Sequence, residues 1–361
     1  MSLPSPIGLL AELTHRCPLG CPYCSNPLEL VRSSGELDTA TWSRVMQEAA
    51  DLGILHLHLS GGEPLTRTDL AEIVNAANVA GLYSNLITSA IGLTPQRLTE
   101  LKAAGLDHVQ ISIQGVEPAR ADVIAHFKGA LKAKREAAQR VVAEGLALTV
   151  NAVIHRDNIR DLQQIITLAR DWGAGRLEVA HVQYHGWALA NRATLMPSRE
   201  EFEVAARLVE EARAKLAGDL VIDHVIPDYY GERPKACMGG WGRQVIVITP
   251  DGRALPCHAA ASLPGLTFAN VREKSLSEIW QHDAAFQKFR GTEWMPKPCQ
   301  GCERAEVDWG GCRCQAFALT GNASATDPVC ALSPDHASVA AAIAKDANSP
   351  RAPYRFRRIG G

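Results

Sequence analysis

Residues 13–30 read Leu13-Thr14-His15-Arg16-Cys17-Pro18-Leu19-Gly20-Cys21-Pro22-Tyr23-Cys24-Ser25-Asn26-Pro27-Leu28-Glu29-Leu30. Cys17, Cys21 and Cys24 form a Cys-x3-Cys-x2-Cys run. Three thiolates this close in sequence can reach three corners of one iron–sulfur cube, whereas an ordinary four-iron cluster takes four cysteines. The next cysteine is Cys237, far along the chain. A set of three leaves one iron open to another molecule. A structural zinc site needs its fourth position closed, which here would fall to His15 or Cys237. Three unrelated buried cysteines are the remaining reading.

The rest of the composition narrows the setting. At 361 residues the chain is long enough for about two domains. Its 46% hydrophobic and 21% charged content is that of an ordinary globular protein. A net charge of −2 gives no reason to expect nucleic acid or a membrane surface. No apolar run approaches a membrane span. The first twelve residues lack the basic start and the length of a signal peptide, so a cytoplasmic protein is expected. In that compartment ten cysteines argue for metal rather than disulfides. Three lie at 17–24, none between 25 and 236, and seven between 237 and 330, which predicts two metal-bearing regions with a cysteine-free body between them.

Strands and helices alternate through that body. An apolar strand at 7–14 runs into the cysteine loop. A helix at 39–52 carries Trp42, Val45, Met46 and Ala49 at helical spacing and stops at Gly53. The alternating stretch Ile54–Leu59 reads as a strand that delivers Ser60-Gly61-Gly62-Glu63-Pro64 at its end. Two glycines let backbone approach a ligand with no side chain between. His56 and His58 share one face of this strand and read as sheet histidines. Further helices are expected at 67–80, 94–104 and 117–144, the last broken near Gly129, with strands at 82–89 and 107–114. The 107–114 strand sets Val109, Ile111 and Ile113 on one face and His108, Gln110, Ser112 and Gln114 on the other, so one face should line a polar cavity. A strand at 146–154, a helix at 158–172 and a strand at 176–184 complete six units. Six are too few for a closed eight-stranded barrel, and a partial (β/α)6 TIM-like barrel is expected. The stretch Gln183-Tyr184-His185-Gly186-Trp187, after the sixth strand, should edge the cavity mouth. A helix at 198–217 and a strand at 219–226 come next, and a domain boundary falls near 225.

Beyond it, Val245–Ile248, the turn Thr249-Pro250-Asp251-Gly252 and Arg253–Cys257 read as a hairpin that brings Cys257 back toward Cys237. Further on lie Cys299, Cys302, Asp308, Cys312, Cys314 and Cys330. Seven cysteines and one suitably spaced acid make eight ligands, enough for two four-ligand clusters; two zinc sites would also fit the spacing. The last segment, 335–361, has an Ala-rich helix and a basic, Pro-interrupted end, and is expected to be frayed.

The cysteine run and the Gly-Gly-Glu-Pro turn together resemble the radical S-adenosylmethionine (SAM) enzymes. In that family the open iron chelates SAM and an electron from the cluster splits it. The 5′-deoxyadenosyl radical so formed takes hydrogen from unactivated carbon. The resemblance implies SAM contacts from Gly61, Gly62, Glu63 and Pro64, with Asn151 on the fifth strand a candidate for the ribose. The C-terminal cysteines resemble the SPASM extension of peptide-modifying members, with Asp308 standing where that pattern has a cysteine. By that pattern Cys299, Cys302, Asp308 and Cys330 hold one auxiliary cluster, and Cys237, Cys257, Cys312 and Cys314 the other. This implies a core at 1–225, an auxiliary domain at 226–334 and a tail at 335–361.

The strings LTHRCPLGCPYCSNPLEL, YSNLITSAIGL, QYHGWALANR and ACMGGWGR narrow the resemblance to the radical SAM cyclases of pyrroloquinoline quinone (PQQ) synthesis. Such an enzyme joins a Glu γ-carbon to a Tyr ring within the ribosomal peptide PqqA. The resemblance implies PqqD as the peptide's chaperone and a flavodoxin-like electron donor, with Gln183, Tyr184 or His185 positioning substrate or taking the proton. The competing expectations are a sulfatase-activating or mycofactocin-type maturase and, from a different class, a zinc-stabilised binding scaffold.

Overall fold

The computed structural model describes residues 3–347 and 349–357. Seven strands, β1 (Gly8–Thr14), β2 (His56–Gly61), β3 (Tyr83–Thr88), β4 (His108–Ile113), β5 (Ala147–Ile154), β6 (Arg176–His181) and β7 (Val221–Val225), pair in sequence order, each parallel to the next. The returning helices are α1 (Thr39–Asp51), α2 (Leu70–Val79), α3 (Pro95–Ala103), α4 (Pro118–Ala125), α5 (Ala130–Ala143) and α6 (Leu162–Asp171). This is the partial barrel read from the sequence, extended one strand by β7.

Local chemistry sets the element ends. Asp38 caps α1 by accepting from the Thr41 amide, and Thr94 caps α3 ahead of Pro95. The helical stretch at 117–144 breaks where expected. His126 and Gly129 take left-handed backbone, and the Asp122 carboxylate accepts from the amides of Gly129 and Ala130 to start α5 afresh. On the helix-facing side of the sheet, Leu57, Leu59, Val109, Ile111 and Ile113 are fully buried. The opposite faces of β2 and β4 carry His58, Gln110 and Ser112, so the polar interior follows from strand alternation alone.

The hairpin at 245–257 forms as β8 (Val245–Ile248) and β9 (Ala254–Leu255), and β8 then joins the core sheet in parallel register with β1. Sequence-local reading places the hairpin with the cysteine-rich part; the sheet runs across that boundary in the order β7-β6-β5-β4-β3-β2-β1-β8-β9. The reason is an edge. Leu9, Ala11 and Leu13 of β1 are fully buried, and without β8 the backbone donors and acceptors on the edge of β1 away from β2 would lack partners in an apolar setting.

Three helices come after β6: α7 (Gly186–Ala190), α8 (Arg192–Leu195) and α9 (Arg199–Lys215), the last opened by a Ser198–Glu201 capping box. The tail departs from expectation. Instead of fraying, it docks as far as it is described. Asp346 pairs with Arg192, Tyr354 and Arg351 reach Asp157, and the Phe356 ring lies 4.4 Å from that of His126. Its basic, Pro-broken part takes most of its partners from other elements of the fold.

The loops after β1 and β2 touch backbone to backbone. The Gly62 amide donates to the Thr14 carbonyl at 2.6 Å and the Glu63 amide to that of Arg16 at 2.7 Å. A Cβ on Gly61 would sit 2.3 Å from the Thr14 oxygen, and one on Gly62 2.2 Å from the Arg16 oxygen. Gly61 also holds φ +121°. Gly62→Ala is therefore expected to push the cysteine loop off the β2 turn, destabilising the fold by about 1–3 kcal/mol. Thermal unfolding and iron content after anaerobic purification measure both effects.

Candidate active site

The cysteine loop, the β2 turn and the ends of β3–β5 surround one cavity of ≈ 640 Å³. Cys17, Cys21 and Cys24 line it together with Gly61, Gly62, Ser112 and Asn151. Burial pushes the Cys17 thiol up to about 11 and that of Cys21 to about 12, and raises Cys24 as well. Apolar surroundings disfavour a bare thiolate, so these sulfurs carry charge only when a cation compensates it. Three thiols facing one cavity fit a cluster held at three corners. Among the described residues no group of His, Cys, Asp or Glu side chains converges tightly enough to grip a single metal ion. A cluster is held at separate corners and does not require such convergence.

The glycines of the β2 turn make room for the chain's own cysteine loop, not only for a ligand. The Glu63 carboxylate is not aimed at the cavity. It is fully buried and accepts from Thr88 Oγ1 (2.7 Å), the Ser89 amide (2.7 Å), the Ser89 hydroxyl and the Leu65 amide (3.1 Å). Glu63 thereby ties the turn to the end of β3, and Pro64 starts a short 3-10 turn behind it. Asn151 faces the cavity and donates to Glu178 at 2.7 Å; Gln110 donates to the same oxygen at 3.1 Å. His58 also lines the cavity and meets Asn85 at 3.3 Å.

Gln183, Tyr184 and His185 are expected at the cavity mouth, but none borders it. β6 ends at His181, and the chain then turns into α7. Gln183 is tied to the carbonyls of His181 and Ile226, and Tyr184 packs edge-on against Tyr229. The His185 ring lies 5.2 Å behind that of His258, and it is His258 that lines the cavity, with Met238. Both residues adjoin cysteines of the second region, so that region reaches the same space.

The second region gathers its cysteines and Asp308 in two groups. Cys237, Cys257, Cys312 and Cys314 share hydrogen bonds: Cys257 accepts from Cys237 and Cys314, which pulls it well below the usual thiol range, while Cys312 and Cys314 are pushed up as donors. Cys299, Cys302, Asp308 and Cys330 line a second small space. Asp308 is buried, with Oδ1 on the Gly310 amide at 3.1 Å and Oδ2 3.5 Å from Arg304. The donor sets and their grouping fit two clusters. Arg313, fully buried and stacked on Trp294, lies near the buried Asp327 first and then near Cys312, Cys237 and Cys299, members of both groups.

No sequence motif marks Lys134, which the fold brings to the site. Its amine donates to the carbonyls of Ser89 and Ser112, both at 2.8 Å, joining the ends of β3 and β4 beneath the cysteines. Burial lowers it to about 8, opposed by the nearby Cys21 and Glu63 charges. A signal was present: Lys134 shares the buried face of α5 with Ala130, Leu131, Ala137, Ala138 and Val141, and a lysine at a core position needs a partner.

Residues 11–169 match the Radical SAM superfamily and residues 237–303 an iron–sulfur cluster-binding domain of the SPASM type. A PqqA peptide cyclase of Methylobacterium sp. (strain 4-46) is 59% identical over 361 residues, which are 100% of this chain and 95% of that protein. The chain belongs to the PqqA peptide cyclase family. Another member, from Gluconobacter oxydans, is 54% identical over 99% of both chains. Streptococcus suis SuiB, solved bound to S-adenosylmethionine, shares the fold at a TM-score of 0.76 and 17% identity, over 91% of this chain and 78% of its own. Membership makes this chain a radical SAM enzyme with SAM and iron–sulfur clusters as cofactors. Among the described residues no helix is long and apolar enough to cross a membrane.

Buried histidines around the site set an acid limit. Burial lowers His155 to about 4, His181 to about 3 and His185 to about 4, from an ordinary 6.5; neighbouring charges make smaller contributions. All three are neutral at pH 7, whereas the unfolded chain takes up their protons near 6.5. Stability is therefore full above about 6.5 and lost as pH falls toward 4, by about 2 kcal/mol for each histidine at pH 5. Denaturant titrations at pH 7 and pH 5 check this, and a His155→Asn variant should show a shallower pH slope.

Proposed function

We propose that this chain cross-links PqqA, joining the γ-carbon of a Glu to the ring carbon ortho to the hydroxyl of a Tyr in the same peptide, on the way to PQQ. The observation that carries this reading is a single cavity bordered by both cysteine-bearing regions: Cys17, Cys21 and Cys24 on one side, Met238 and His258 on the other. Joining two carbons with loss of two hydrogens is an oxidation, and it needs an electron outlet beside the space where the radical forms.

Cys17, Cys21 and Cys24 hold the cluster in this reading, and when SAM is bound there it supplies the radical that removes hydrogen from the Glu side chain. The chain's own residues bind, orient and shield the reacting groups. Gly61 and Gly62 present backbone rather than side chains to the cavity. Asn151, oriented by Glu178, offers a fixed polar contact to the nucleoside. Glu63 and Lys134 hold the ends of β3 and β4 around it. As the Tyr ring is substituted and regains aromaticity it gives up one electron and one proton. His258 stands in the cavity to orient the ring or take that proton, with His185 packed behind it. Gln183, Tyr184 and His185 act on substrate only through such packing. Met238 and His258, the chain neighbours of Cys237 and Cys257, border the space where the electron is released, and so lead from it to the Cys237, Cys257, Cys312 and Cys314 set. Asp308 joins Cys299, Cys302 and Cys330 as the harder ligand of the other auxiliary set. Excluding water from this pocket protects the radical from stray hydrogen donors.

The core spans 1–225 and the auxiliary domain 226–334 in this reading. Family membership also supports PqqD as the chaperone that presents PqqA, a flavodoxin-like one-electron donor, and a cytoplasmic setting. Anaerobic incubation of the protein with PqqA, PqqD, SAM and a reductant should yield a peptide lighter by two hydrogens and linked Glu to Tyr by tandem mass spectrometry. SAM cleavage with the peptide unchanged would retain only the superfamily chemistry. His258→Ala is expected to keep SAM cleavage while lowering cross-linked product by at least about tenfold, whereas His185→Ala should have the smaller effect.

A further inference from the structure

The last described residues lie on the cysteine loop. Asn191, which comes directly after α7, grips both at once: its Nδ2 donates to the Pro22 carbonyl at 2.8 Å and to the Arg355 carbonyl at 2.9 Å, and its Oδ1 accepts from the Arg355 amide at 2.8 Å. The Arg357 amide then donates to the Gly20 carbonyl at 3.0 Å, and its guanidinium reaches the His15 carbonyl. A Cβ on Gly20 would stand 3.2 Å from the Arg357 oxygen, so loop and tail are in close contact there. Upstream, Thr194 holds the Ala352 carbonyl at 3.1 Å, and Arg351 and Tyr354 bind Asp157.

Arg357 is 2% exposed and lines the cavity beside the three cysteines. Its guanidinium hydrogen-bonds Cys24 and so sets a positive charge beside the cysteines. A buried cation is costly unless something anionic faces it. Three thiolates around an iron–sulfur core are such a partner, and net charge and hydrogen bonds to sulfur set a cluster's potential.

We propose that residues 351–357 are a strap that clamps the cysteine loop through Asn191, and that Arg357 is a positioning residue whose buried positive charge makes the SAM-binding cluster easier to reduce and slower to lose. This rests on the reading that Cys17, Cys21 and Cys24 hold that cluster. A cation nearby favours the more negative, reduced state, so removing it moves the midpoint potential in the negative direction. The auxiliary clusters, held by other residues, serve as internal controls.

The test uses the full-length, cluster-loaded protein. Redox titration monitored by electron paramagnetic resonance gives the potential of each cluster, and an iron chelator gives the rate of iron loss. Arg357→Gln is expected to shift only the SAM-binding cluster to a more negative potential and to release its iron several-fold faster. Arg357→Lys should restore most of the potential but not the slow release, because it keeps the charge and loses the planar fork. Parent-like potential and iron release in Arg357→Gln overturn the inference. Weaker SAM binding with those two readouts unchanged also overturns it, by moving Arg357 to the SAM carboxylate. Should Arg357→Gln assemble no cluster, Asn191→Ala decides: it keeps the charge and unpins the strap, and parent-like iron release there overturns the clamp. A parent whose iron content is unaffected by Cys17→Ala, Cys21→Ala and Cys24→Ala would instead overturn the underlying reading.

Discussion

Everything around the cavity depends on two loops meeting without side chains between them. The backbone after β2 lies on the backbone after β1, joined by the Gly62–Thr14 and Glu63–Arg16 hydrogen bonds. Only glycine at 61 and 62 permits that approach. Once it is made, the cysteine loop has a floor, and Glu63 carries the restraint onward to Thr88 and Ser89 at the end of β3. Lys134 extends it to β4 through the Ser89 and Ser112 carbonyls. Four consecutive strand ends thus form one hydrogen-bonded rim. The rim fixes where the cysteine loop sits, while Leu19 packs it against Ala125 and Ala130.

The polar inventory is divided by side. Apolar residues of β1, β2 and β4 face the helices, and their alternating partners face the cavity, where Gln110, Ser112, Asn151 and Glu178 line one polar wall and Glu178 accepts from both amides. Three of the buried cations lie near cysteines: Lys134, Arg357 and Arg313. In apolar surroundings such charges are less screened than surface ones. The histidines His155, His181 and His185, buried behind the cavity wall, stay neutral and add no charge.

The auxiliary region is built into the core rather than appended to it. β8 protects the edge of β1, and the hairpin returns Cys257 and His258 to the cavity side. The same hairpin thereby gives β1 its second partner and brings His258, next to Cys257, to the cavity. That arrangement suits a reaction that must dispose of an electron.

Much of this was legible in the residues by themselves. The cysteine run, the glycine turn, the strand–helix alternation and the break at Gly129 are short-range patterns, and short-range patterns survive in a linear string. The contacts that the fold alone decided are long-range. Gln183, Tyr184 and His185 look like cavity residues because they come just after a strand, but the turn into α7 carries them behind His258. The tail looks frayed because its partners, Asn191, Asp157 and the loop carbonyls, lie in other elements. Lys134 was visible as a misplaced charge on a buried helix face, while its partners were not. A sequence specifies periodicity, spacing and ligand chemistry; which distant backbone a side chain meets depends on how the curved sheet brings strand ends together, and no local pattern encodes that.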